Sequence, residues 1–207
     1  MCLYATIDTS VVNLSIMTWA SGKQLQGGKY RIEQELGAGG FGITYCAKDN
    51  NGRYVVIKTL NEQVQRRPDF SKFQQDFLNE AIKLAKCTHS HIARIDEVIH
   101  EDGLWCIVME YIDGENLAYR VENQGVLPEA EALRYIQQIG EALTLVHNHG
   151  LLHRDVKPQN IMLRANETEA VLISYQVKES PLAFLNNNGY HPLAKEMMDK
   201  ACKSANL

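Results

Sequence analysis

The stretch His153-Arg154-Asp155-Val156-Lys157-Pro158-Gln159-Asn160 constrains this chain more than any other. It sets a carboxylate, a cation and a carboxamide on a short loop between two apolar runs, Leu151-Leu152 and Ile161-Met162-Leu163. An aspartate five residues before an asparagine on such a loop faces two ways. The Asp155 carboxylate can turn toward an incoming hydroxyl and the Asn160 amide oxygen toward a magnesium ion, and Lys157 between them can reach a phosphate. Each group answers one need of phosphoryl transfer, a reaction in which a protein mainly positions groups and neutralises charge. The competing reading is an ordinary polar turn, and the rest of the chain has to decide between the two.

Upstream, Gly37-Ala38-Gly39-Gly40-Phe41-Gly42 lies between Tyr30 to Leu36 and Ile43-Thr44-Tyr45-Cys46-Ala47, both of which read as strands. A glycine-rich turn between strands lets backbone amides close over phosphates without side chains in the way. A lone G-x-G-x-x-G is weak evidence. Here a strand follows it where a dinucleotide fingerprint requires a helix, and the G-K-[ST] ending of a Walker loop is missing.

Tyr54-Val55-Val56-Ile57-Lys58 is a β-branched run ending in a cation, which reads as a buried strand carrying one charge inward. A charge so placed requires a partner. The plainer reading is a lysine at the strand edge that snorkels to water. Glu80 shifts the balance, because it lies in Phe77-Leu78-Asn79-Glu80-Ala81-Ile82-Lys83-Leu84, whose apolar positions form a helical stripe.

These motifs occur in one order, and from about Tyr30 to Ile173 the chain resembles the eukaryotic-type serine/threonine protein kinases, in their bacterial-like form. The resemblance implies an α+β, protein-kinase-like fold: a small, five-stranded antiparallel sheet with one helix above a truncated, mostly helical lower lobe. It implies a nucleotide roof of Leu36, Gly37, Gly39, Gly42, Thr44 and Val56, and a phosphate clamp of Lys58 paired with Glu80. Met109 takes the gatekeeper position, Glu110 and Ile112 belong to a hinge whose main chain meets the adenine, and Met162 forms the floor beneath it. For Met162, plain core packing is an equally good reading. Asp155, Lys157 and Asn160 become the catalytic residues, Asn160 also the metal ligand, with ATP and Mg2+ as cofactors and protein serine or threonine hydroxyls as substrates. Lys157 between the aspartate and the asparagine resembles the serine/threonine class and not the tyrosine class.

The organisation expected is an N-terminal extension over 1–29, disordered through residue 26; an upper lobe and hinge over 30–112; a partial lower lobe over 113–173; and a tail unlike the family over 174–207. Ser174-Tyr175-Gln176 fill the slots where the family carries Asp-Phe-Gly, and a serine hydroxyl cannot match the charge of a metal-binding aspartate. Phosphoryl transfer by this chain is therefore expected to be impaired. A short helix is expected from Pro192 to Cys202, and a helix from Glu129 to His147 with an apolar stripe of Ala132, Leu133, Ile136, Ile139, Leu143 and Val146. Part of that stripe is expected to stay uncovered and to invite self-association.

A net charge of -4 gives no basis for nucleic-acid binding, and Val11 to Ala20 is too short and too polar to span a bilayer. Five cysteines without a C-x-x-C pair read as reduced thiols in the cytoplasm, and His89, His91, His147, His149 and His153 lack the ligand pattern of a zinc site.

Overall fold

Alternation along one strand sets the geometry of everything above the loop that carries Asp155. The computed structural model describes residues 18–173. Within them β4 (Tyr54–Leu60) buries Val55 and Ile57 on one face, against Tyr45, Ala47 and Val108, and turns Val56 and Lys58 to the other. That period of two is what a pleated strand imposes. Around it run β1 (Gln24–Leu25), β2 (Tyr30–Ala38), β3 (Gly42–Asp49), β5 (Ile95–Glu101) and β6 (Leu104–Glu110), in the antiparallel order β1-β2-β3-β4-β6-β5. The sheet thus has six strands where five were expected.

The extra strand corrects the expectation of disorder through residue 26. Trp19 and Leu25 are buried in the same core as Tyr30, Ile32 and Tyr45. The Trp19 ring lies 5.4 Å from that of Tyr45, and its indole Nε1 donates to Asp102 at 3.0 Å. Burying one large aromatic is worth roughly 1.5–3 kcal/mol, enough to fix a short strand that its own hydrogen bonds would not hold. The upper lobe therefore starts by Trp19, ahead of Tyr30, while residues 1–17 and the whole of 174–207, with the proposed helix from Pro192, lie outside the described residues.

After β4 come a single turn of helix, α1 (Glu62–Gln65), and then α2 (Phe70–Leu84). Phe77, Ala81 and Leu84 are buried on α2, with Phe77 and Ala81 packed against Leu60 and Ile107 of the sheet. The same stripe, read at helical spacing, runs through Phe73 and Glu80, so Glu80 is carried toward the sheet by the helix period.

The lower lobe contains β7 (Gly114–Asn116), α3 (Leu117–Gln124), α4 (Glu129–Asn148), β8 (Ile161–Arg164) and β9 (Ala170–Leu172), with the strands ordered β7-β8-β9. Of the stripe expected on α4, Ile139, Leu143 and Val146 are buried, whereas Ala132, Leu133 and Ile136 are half-buried; Tyr135 and Ala142 take the remaining buried positions. Tyr135 fits because its hydroxyl donates to Glu131 at 2.9 Å, one turn earlier. Gly114, with φ of +150°, lets β7 run against β8: a Cβ there would stand 1.9 Å from the Leu163 carbonyl oxygen. No side chain fits that gap.

The lobes are locked at the back of the cleft. Leu84, Cys87 and Ile92 from the upper side pack with Ala142, Val146 and Leu151 below. The main chain crosses as well, Ala93 N donating to Leu172 O at 3.0 Å and Leu172 N to His91 O at 2.9 Å. Among the described residues no helix is long and apolar enough to cross a membrane.

Candidate functional site

The loop that carries Asp155, Lys157 and Asn160 is built around a buried imidazole. His153 is 1% exposed, and burial pushes it down to about 4, so the ring is neutral. Its Nδ1 accepts from Asp155 N at 3.3 Å, which leaves the proton on Nε2, facing the Ile173 carbonyl oxygen at 3.3 Å. Next to it Arg154 takes a φ of +59°, the left-handed region that side-chain-bearing residues seldom adopt. The chain turns there, with His153 buried in the lobe and Asp155 only partly so.

Asp155, Lys157 and Asn160 converge. Lys157 Nζ stands 2.9 Å from Asp155 Oδ2, and Asn160 Nδ2 donates to the same oxygen at 2.8 Å and to the Asp155 carbonyl at 2.7 Å. Burial by itself would raise the Asp155 carboxyl, but the bonds from Lys157 and Asn160 outweigh it and hold the group below its ordinary range. It is an ionised carboxylate. Because the amide nitrogen of Asn160 is committed to Asp155, its Oδ1 is the atom left for a cation. Asn160 is itself fixed by the 3-10 turn Pro158–Asn160 and by Ile173 N donating to its carbonyl at 2.9 Å.

Above the loop, register gathers the residues singled out on the sheet. In β3–β4 pairing Thr44 stands opposite Lys58 and Cys46 opposite Val56; in β4–β6 pairing Val56 faces Met109 and Lys58 faces Ile107. Directly opposed residues share a face, so Thr44, Val56, Lys58 and Met109 line one surface. Gly37 is opposite Thr44 at the end of that row. Cys46 and Ile107 belong to the same face and escaped sequence reasoning, since only the pairing register reveals them. Leu36 lies at the rim, 47% exposed, at the open end of β2.

The glycine-rich turn is closed by Gly39 N donating to Gly42 O at 2.8 Å. At Gly42 a Cβ would press on the Thr59 carbonyl at 3.1 Å and on Lys58 Cε at 3.3 Å, so glycine keeps the turn against the lysine stem. Lys58 is deeply desolvated. Burial lowers its ammonium to about 8, although the charges of Glu80 and Asp155 both pull it back up. Glu80 mirrors it: burial raises its carboxyl to about 7 against the opposing fields of Lys58 and Arg154. Lys58 therefore lies in the fields of two carboxylates, Glu80 of α2 and Asp155 below.

At the hinge the side chains of Glu110 and Ile112 face the protein. Glu110 accepts from Arg164 at 2.8 Å and from Arg94 N at 3.3 Å, and Ile112 is buried with Ala93 and Val171. Met162 packs against that same cluster, so the core-packing reading of this residue has structural support. What Glu110 and Ile112 offer a ligand is main chain. The residues present fit a magnesium nucleotide: a cation and a glycine turn at one end, an apolar face and main chain at the other, and one amide oxygen for the metal.

Comparison with known proteins follows the same line. Residues 30–177 match the family described as protein kinase domain, a match that runs past Ile173. A serine/threonine-protein kinase of Corynebacterium efficiens, drp72, is 39% identical over 154 residues, covering 70% of this chain and 28% of its own length. A probable serine/threonine-protein kinase of Bifidobacterium longum, pknA2, is 34% identical over 141 residues, covering 68% of this chain and 19% of its own. The chain thus spans less than a third of the length of these curated relatives. Among solved structures, the PknI kinase domain of Mycobacterium tuberculosis superposes with a TM-score of 0.65 at 26% identity, over 79% of this chain and 65% of that one.

Proposed function

This chain belongs to the protein kinase family, with the serine/threonine kinase domain as its type, and from that premise we propose that its cleft binds magnesium-ATP and directs the γ-phosphate to a serine or threonine hydroxyl of a protein. The observation that carries the reading is the joint placement of Lys157 and Asn160, each within 3 Å of the Asp155 carboxylate, beneath a half-buried Lys58 that feels the charges of both Asp155 and Glu80. Asp155 is positioned to orient the hydroxyl and take its proton; Lys157 neutralises charge on the transferring phosphoryl group; Lys58 holds the phosphates above. Magnesium, when bound, would neutralise charge between the phosphates, with Asn160 Oδ1 among its ligands.

The rate is a separate matter. The sequence carries Ser174-Tyr175-Gln176 in the slots of the family's Asp-Phe-Gly, outside the described residues, and we read the metal site as short of a charged ligand. Loss of a metal contact made in the transition state costs about tenfold in rate for each ~1.4 kcal/mol. Nucleotide binding with slow transfer is thus the reading adopted, and binding without any transfer is the second, favoured by the same three residues. A cytoplasmic setting and association between copies through exposed apolar residues of the lower lobe, Tyr119, Val121 and Val126, complete the proposal.

The test is a phosphate-transfer assay on a generic serine/threonine substrate, run beside thermal denaturation with and without Mg-ATP. A raised midpoint with transfer near background is the expected result. No shift in midpoint would remove ATP as the ligand. Rapid transfer, lost in Asp155→Asn, would remove the impairment, and transfer unchanged in Asp155→Asn would remove the assigned base.

A further inference from the structure

The glycine-rich turn is tied to the helix that carries Glu80, and one side chain makes the tie. Asn61, 8% exposed, follows β4 and caps α1, its Oδ1 accepting from Val64 N at 3.1 Å. Its Nδ2 reaches back across the sheet end and donates to the Gly39 carbonyl at 2.6 Å. Its main-chain N donates to Phe41 O at 3.0 Å. The tip of the turn is held a third time by its own aromatic ring: Phe41 stacks on Phe73 of α2, ring centroids 6.1 Å apart and planes 17° from parallel. The Arg67 guanidinium lies 4.6 Å from the centre of the Phe73 ring, close enough to hold it by its charge. Phe73 precedes Glu80 by two helical turns on the same stripe.

We propose that Asn61 is a positioning residue: with the Phe41–Phe73 stack it fastens the glycine-rich turn to α1 and α2, so that the turn's amides and Glu80 are set in register for the phosphate end of a nucleotide. This rests on the reading of the cleft as an ATP site. A polar side chain buried to this degree must spend both its donor and its acceptor, and Asn61 spends one on a helix and the other on the turn. Ordering the turn in advance removes a cost that a phosphate ligand would otherwise meet on binding. The adenine end rests on the sheet face and the hinge main chain, which Asn61 does not touch. Its contribution is therefore selective for ligands that carry phosphates.

Asn61→Ser separates the two roles in the full chain, because a serine oxygen still caps α1 while its short side chain cannot span to the Gly39 carbonyl. Two measurements decide the matter. Hydrogen exchange on the apo protein should be about fivefold or more faster at the amides of 39–42 and unchanged at Val64, as expected when one hydrogen bond of ordinary strength is lost. By calorimetry, Mg-ATP affinity should fall about five- to tenfold, while adenosine stays within about twofold. Phe41→Leu, which removes the stack and leaves the Asn61 bonds, should show the same selectivity and serves if Asn61→Ser folds poorly. Unchanged exchange over 39–42 would overturn the latch, and equal losses for ATP and adenosine would overturn its phosphate role. Failure of the unmodified chain to bind ATP would overturn the nucleotide reading, and the phosphate role with it, while the exchange result still decides the latch.

Discussion

Two charged clusters face each other across the cleft, and they are held in opposite ways. In the upper one burial dominates: Lys58 is brought down to about 8 and Glu80 up to about 7, both leaning toward their neutral forms. In the lower one the internal partners dominate, and Asp155 stays ionised despite partial burial because Lys157 and Asn160 bind its carboxylate directly. The upper cluster holds charge that a polyanionic ligand would stabilise, whereas the lower is complete in the absence of ligand. On the proposed function, binding energy belongs to the upper cluster and proton handling to the lower, a division that substitutions can test one side at a time.

The largest expected effect falls on the lower cluster. Asp155→Asn keeps the shape and removes the base, so whatever transfer the chain performs should drop by about 100-fold or more, the usual contribution of a positioned base. ATP affinity should stay within about twofold, since Asp155 contributes only a field at Lys58. A comparable loss of affinity would mean the two clusters act as one unit. Next in size is Lys58→Met. At ligand concentrations near 100 times Kd the unmodified chain should gain about 2.7 kcal/mol of stability from Mg-ATP, and the variant almost none of it. Its apo stability should change little, because the Glu80 carboxyl, already raised to about 7, takes up a proton when the cation beside it is removed. Equal nucleotide shifts in the two proteins would place ATP elsewhere.

Much of this arrangement was legible in the sequence because local rules set it. Alternation along Tyr54–Lys58 put Val56 and Lys58 on one face, and the helix period put Glu80 on the stripe that meets the sheet. What escaped depends on partners far away in the chain. Trp19, a single aromatic in a segment without periodicity, is buried because Tyr45 and Asp102 receive it. Cys46 joins the cleft face only through its register with Val56. Asn61 reads as a polar residue ending a strand until its amide is seen on Gly39, and Gly114 reads as an ordinary turn glycine until Leu163 approaches it. The α4 stripe was right in period but misplaced by a fraction of a turn at its start, where Tyr135 is buried because Glu131 satisfies its hydroxyl.

The smallest effect expected is also the most specific, because it uses the two clusters against each other through pH. His153, beneath the lower cluster, titrates near 6.5 when the chain is unfolded and near 4 when folded. Between those values the unfolded chain binds more protons, so this group makes stability fall as pH is lowered from about 6.5 toward 4. Glu80 does the reverse. The folded chain keeps its proton up to about 7 while the unfolded chain releases it near 4.5, so this group makes stability rise as pH is lowered through the same range. In the unmodified chain the two slopes oppose, and urea denaturation followed from pH 7 to pH 4.5 should show a shallow dependence. Glu80→Gln removes one of them. Its stability should drop visibly over that interval, the midpoint urea concentration falling as His153 takes up its proton in the unfolded state, with the slope m unchanged. A profile as flat as that of the unmodified chain would mean that Glu80 is ionised in the folded protein at neutral pH, and the contrast between a strained upper cluster and a satisfied lower one would fail.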